Sequence, residues 1–202
     1  MSSSTKHESV SKGLLSIDVG KCNLGYSFIM FNEGCGLDKF SSMMFGIYKI
    51  EGYKGSIDST VVYRVSKAIE FMKQFEGIVD IIIIERQVNI NTEAMELMYS
   101  LATIAVSMVG IENVVLFAPK LKFDHFHLKY TTANKAHKKL SISMISDFLS
   151  AFYPDNYDEM KTYNKKDDIA DSMLQAIVWL RINNKVNLIE PDITKVMKAI
   201  HI

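Results

Sequence analysis

Four consecutive isoleucines, Ile81 to Ile84, lie in the apolar stretch Ile78 to Glu85 and constrain the fold more than any other feature of the chain. A strand with one face in water alternates apolar and polar residues. A run without alternation must be covered on both faces, as in the middle of an α/β sheet. The flanking segments agree with such a sheet. Leu14 to Val19 reads as a second buried strand, followed by a turn around Gly20 to Asn23. Gly25 to Phe31 and Met43 to Ile50 have the β-branched and aromatic content of strands, joined through the Gly-containing stretch Asn32 to Leu37. From Ser59 to Phe75 the spacing of Val62, Val65, Ile69 and Met72 predicts an amphipathic helix. Further helices are expected over Thr92 to Val109, Asn134 to Phe152, and Lys165 or Lys166 to Arg181. A short strand, Val114 to Ala118, is stopped by Pro119, and a short helix is expected after Pro191. Three strands, then alternating helix and strand, then helices describe an α/β layered domain with a mixed sheet.

The 202 residues, 48% hydrophobic, suffice for one domain, expected over 13–182. Residues 1–12 read as a polar, Ser-rich, disordered tail without the apolar segment of a secretory signal. Residues 183–202 read as an extension packed on the domain. Lys and Arg number 23, as do Asp and Glu, which excludes a polyanion binder held by bulk charge. Cys22 and Cys35 have no zinc-site spacing and are too few for a disulfide framework, so an intracellular, reducing location is expected. The apolar stretch Leu97 to Ile111 is too short to span a bilayer.

Several carboxylates sit where packing would not put them. Asp18 ends one buried strand and Glu85 another, and Asp168 and Asp171 open the helix pattern that runs to Leu180. Singly, each has an ordinary explanation as a turn residue or a helix-start acid. Together they predict a cage for hard divalent cations, which take oxygen ligands. Two such ions about 3.5–4 Å apart can clamp the attacking and leaving oxygens of a phosphodiester. On helix geometry Asp167 is as well placed as Asp168, because both share a face with Asp171.

The stretches Ile17-Asp18-Val19-Gly20-Lys21-Cys22-Asn23-Leu24-Gly25, Ile84-Glu85-Arg86-Gln87 and Lys165-Lys166-Asp167-Asp168-Ile169-Ala170-Asp171-Ser172 occur in an order that resembles the RNase H-like superfamily. Within it they are most similar to the RuvC-type Holliday junction resolvases of poxviruses and fungal mitochondria. The likeness is collinear from Leu14 to Leu180; each motif is weak alone, and the three in order are specific. The resemblance implies an RNase H-like fold with a mixed five-stranded sheet flanked by helices. It implies that Asp18, Glu85, Asp168 and Asp171 are the metal-binding and catalytic acids, its Asp-x-x-Asp spacing selecting Asp168 over Asp167. It further implies two Mg2+ ions per site, with Mn2+ substituting, and cleavage to a 5′-phosphate and a 3′-hydroxyl. The implied partner is branched DNA, namely four-way junctions and possibly flaps and bulges, cut by a homodimer in paired symmetric nicks. The implied setting is concatemer resolution and recombination of viral DNA in the host cytoplasm.

Despite the neutral total, the stretch Lys120 to Lys139 holds six lysines and three histidines against the single acid Asp124. Such a stretch can neutralise phosphates with a steep salt dependence. Arg86, Gln87, Lys120, Lys122, Lys135, Lys138 and Lys139 are the expected DNA contacts. Lys138 and Lys139 are the best placed for the scissile phosphate. His125, His127 and His137 have no cysteine partner, so a zinc site is not expected. The helix from Thr92 to Val109 is apolar nearly all round and needs cover on two sides. We place a dimer interface on it at Leu97, Leu101, Ala105 and Met108. Two rival readings are an actin-like nucleotide-dependent kinase or ATPase and a non-catalytic junction-binding protein. The first lacks a second Gly-rich phosphate loop, and the intact acids weigh against the second.

Overall fold

In the computed structural model, which describes residues 11–50, 57–87, 92–126 and 134–187, the isoleucine run is strand β5 (Ile81–Glu85). It pairs in parallel with β1 (Ser11–Val19) on one side and β6 (Val114–Phe117) on the other. The antiparallel strands β2 (Asn23–Asn32) and β4 (Ser42–Lys49) complete a five-stranded sheet of order β4-β2-β1-β5-β6. The mixed sheet expected from the sequence is therefore present. Successive side chains of a strand point to opposite faces, so the four isoleucines feed two cores. Ile82 and Ile84 pack with α1 (Ile57–Lys73) and α2 (Thr92–Val109). Ile81 and Ile83 face α4 (Asn134–Phe152), α5 (Pro154–Thr162) and α6 (Lys166–Ile182).

Most element bounds agree with the sequence reading to within two or three residues. Helix α5 was not expected, because Pro154 read as a stop. Proline is tolerated at the first helical position, where its missing N–H has no partner to lose, and Pro154 occupies that place. The one-turn helix α3 (Leu121–Asp124) was also unforeseen. So was a two-stranded parallel sheet between β3 (Cys35–Gly36) and β7 (Val186–Asn187). Glu33 fastens it, accepting from Lys12 Nζ at 2.8 Å and Lys185 Nζ at 2.9 Å. The N-terminal tail, except for residues 11 and 12 at the start of β1, and the helix expected after Pro191 lie outside the described residues. No helix of the described residues is long and apolar enough to cross a membrane.

One expectation for α2 is corrected here. Leu101 and Ala105 are 0% exposed and Leu97 is 2% exposed within a single chain, with Met108 partly buried in the same cluster. That stripe is spent on the subunit's own sheet, so it has no surface left for a partner. An adjoining face of α2 carries the exposed Tyr99 and Val106, with the half-buried Ala102 packed at the edge of the core.

Candidate active site

Strand register brings the first two acids together. Ile17 of β1 is level with Ile84 of β5, so Asp18 and Glu85, one residue further on, leave adjacent parallel strands at the same end and on the same face. Helix α6 crosses that face, packing on β1, β2, β4 and β5. Its first turn comes unusually close to the sheet at Gly25, the antiparallel partner of Asp18. A Cβ on Gly25 would lie 2.4 Å from the Asp168 carbonyl oxygen and 2.9 Å from its Cβ. Glycine at this position lets the helix start settle over the strand end, with Asp168 half-buried there and Asp171 one turn deeper.

The centre of the cluster is a lysine. Phe117 of β6 is level with Glu85, so the chain leaves β6 beside the acids, and α3 turns back over them. Lys122 is 3% exposed, and its Nζ lies 2.6 Å from Glu85 Oε1 and 3.7 Å from Asp171 Oδ1. The sequence reading put Lys122 on a DNA-contacting surface. The structure instead buries it among the carboxylates, because the flanking Phe123 and Phe126 enter the core and carry it inward. Nothing in the sequence alone separates Lys122 from its basic neighbours. The usable clue was its position five residues beyond a strand adjacent to the one that ends in Glu85.

Burial without enough counter-charge sets the electrostatics. Asp18 is pushed well above the usual carboxylate range by burial and by the Glu85 charge beside it, only partly offset by Lys122. Burial also raises Glu85, but the Lys122 ammonium and hydrogen bonds with Asp18, Lys122 and Gln87 outweigh it and hold Glu85 low. Asp171 is raised by burial against the pull of Lys122 and the Ser141 hydroxyl, and Asp168 by burial and by Asp167. Lys122 is held charged far above its ordinary value, the Glu85, Asp171 and Asp18 charges outweighing its desolvation. The site thus gathers partly buried carboxylates around the Lys122 ammonium, a donor set that suits a hard divalent cation. In this arrangement no three acids among the described residues converge on one coordination point. The Lys122 ammonium supplies the positive charge between Glu85 and Asp171.

The other expected contacts surround this centre. Asp167 is paired to the exposed Lys138, which pulls its carboxyl low against the effect of burial, whereas Asp168 faces Gly25. The doublet is thereby divided: Asp167 belongs to the helix surface and Asp168 to the sheet side. Gln87 Nε2 donates to Glu85 Oε2 at 3.3 Å, so it supports the acid. Arg86, Lys120 and Lys139 are exposed, and the Lys135 side chain lies outside the described residues. His137 stacks on Phe123 with ring centroids 4.7 Å apart.

A model of the poxvirus A22 protein family matches residues 13–184. The chain belongs to the poxvirus A22 protein family. No curated protein matches it. Among solved structures, this A22-family chain is similar to Thermus thermophilus RuvC at 12% identity and a TM-score of 0.55, over 85% of this chain and 97% of that one. A structure of T. thermophilus RuvC in complex with a Holliday junction substrate matches at 12% identity and a TM-score of 0.54, over 86% and 97% of the two chains. At such identity the likeness concerns the fold, and the RNase H-like fold implied by the three motifs is the one observed.

Proposed function

We propose that this A22-family protein is a Holliday junction resolvase, a metal-dependent endodeoxyribonuclease. The observation that carries this is the meeting of Asp18, Glu85 and Asp171, from two strand ends and a helix, around the buried ammonium of Lys122, with Asp168 beside them. That constellation sits on a fold shared with a protein solved on a Holliday junction. Asp18, Glu85, Asp168 and Asp171 are the ligands we assign to Mg2+ or Mn2+. Held by these acids, two such ions would supply an activated water and stabilise the leaving 3′ oxygen, which would give 5′-phosphate and 3′-hydroxyl ends. Gln87 keeps Glu85 oriented, and Gly25 keeps Asp168 over the strand end. Lys122 offsets the charge of Glu85 and Asp171, and with cations bound to the acids it would be free to face the scissile phosphate. Lys138, Lys139, Lys120 and Arg86, all exposed, are the cations we assign to the flanking backbone. Paired cuts require two such sites related by a twofold axis, so we propose a homodimer joined through the exposed face of α2. Branched DNA is the proposed partner, with viral DNA recombination as its setting.

The decisive experiment incubates the protein with labelled four-way junctions, with and without magnesium. Paired, magnesium-dependent nicks are expected, and Asp18→Asn, Glu85→Gln, Asp168→Asn and Asp171→Asn should each lose cleavage while retaining junction binding. Asp167→Asn should still cut. Junction binding without any metal-dependent cleavage by the wild type would instead support a non-catalytic junction binder.

A further inference from the structure

Beside the acids, outward along the same face of the sheet, lies a half-open cavity of about 490 Å³ that the reading above does not use. Its floor is Asn23 and Ile47 with Lys49, and its wall is the α5–α6 linker with Tyr163, Asn164 and Lys165. Asn23 is level with Lys49 across β2 and β4, and Gly25 with Ile47. Asn23 therefore stands two residues from Gly25 on the face that meets Asp168, about 6.6 Å at the strand rise. That is about two base steps of a nucleic-acid strand at 3.4 Å each.

The charges in this cavity are only partly spent on their neighbours, Lys165 offsetting some of the Asp168 charge. Lys49 and Lys165 form no ion pair among the described residues, and both are exposed. Lys165 directly precedes α6, where the helix dipole favours an anion and disfavours a cation. The amide of Asn23, 7% exposed and so committed to this spot, lies against Lys165 Nζ and the Cys22 carbonyl; assigning its oxygen to the ammonium and its nitrogen to the carbonyl, 3.2 Å away, satisfies both neighbours. A buried amide thus fixes one ammonium at a helix N-terminus, and a second ammonium from β4 lines the same cavity. The arrangement is complementary to a monoanion with hydrogen-bond acceptors.

We infer that the Asn23–Lys49–Lys165 cavity is a second phosphate subsite, gripping the DNA backbone one or two nucleotides from the cut and setting the strand's register over the acids. This rests on the nuclease reading and adds to it residues that position the strand. The test places single methylphosphonates, which are neutral, at each of the two positions on either side of the cut, and measures junction binding without divalent cation. The wild type should lose about tenfold in affinity at one of those positions, the low end for a hydrogen bond to a charged group. The Lys49→Gln/Lys165→Gln variant should bind more weakly, with a salt slope smaller by about one or two, and should be indifferent to the same methylphosphonate. Lys49→Arg/Lys165→Arg should keep both affinity and sensitivity, and Lys73→Gln, on α1, should behave as wild type. A wild type insensitive at all four positions would overturn the subsite, as would a double Gln variant that responds as wild type does. Wild-type cleavage in magnesium, scored separately, tells failure of the subsite from failure of the nuclease reading.

Discussion

Two residues in the site should behave oppositely when the protein is free of divalent cations. Lys122 is the buried counter-charge to Glu85 and Asp171. Removing one partner of such a cluster leaves uncompensated charge, so Lys122→Met should cost about 3–5 kcal/mol in urea unfolding, with magnesium recovering part of it. Asp18 carries the opposite burden, being a carboxyl that burial and Glu85 drive toward its protonated form. Asp18→Asn should raise the melting temperature in EDTA while abolishing cleavage, a trade of stability for activity. A melting temperature unchanged or lowered would show that the carboxyl is not under charge stress. Gly25→Ala tests geometry instead: the added Cβ meets the Asp168 backbone, so the first turn of α6 must move, and cleavage should fall more than stability. The proximity of the candidate acids was legible because Asp18 and Glu85 end apolar runs and Asp168 and Asp171 open a helix pattern. Asp168 was separable from Asp167 only through the resemblance, since the reason for the choice, contact with Gly25, is a long-range one. The burial of Lys122 was not legible because it depends on where α3 folds, which no local periodicity records.

Among elements, α2 shows most clearly where pattern reading stops. Its bounds, Thr92–Val109, follow from periodicity, but an all-round apolar helix does not say which stripe its own sheet consumes. With Leu101 at 0% exposure, Leu101→Glu should unfold the chain, because it buries an unpaired charge. Val106→Glu, at 38% exposure, should leave the monomer folded, and by our proposal should abolish dimers in sedimentation and convert paired cuts into single nicks. A Val106→Glu protein that stays dimeric would move the interface off this face. The β3–β7 pair was invisible in the sequence because two-residue strands carry no pattern. Its ion pairs give it a pH signature. Lys12 and Lys185 hold Glu33 down to about 2, so its contribution is complete above the ordinary glutamate value and fades as pH falls through about 2. Glu33→Gln should remove that protection, read as faster hydrogen exchange at Val186 above pH 5, with the difference from wild type vanishing in strong acid.

At the scale of the molecule, the sheet and its two cores were foreseeable from β5 alone, since an unalternating strand forces helices onto both faces. What could not be foreseen is how α6 joins core and chemistry. Its first two turns hold Asp168 and Asp171, and the same helix buries Ile169, Ala170, Met173, Leu174, Ala176, Ile177, Val178 and Leu180. The acids are thus the N-terminal end of the rod on which one core is built, not residues carried by a detachable loop. Local opening generally starts in segments with few buried contacts, and α6 is the reverse of such a segment. Heating should therefore reveal no inactive but folded form: the temperature at which cleavage competence is irretrievably lost and the temperature of global unfolding should coincide within a degree or two. Substitutions far down the rod, such as Ile177→Ala, should lower both together.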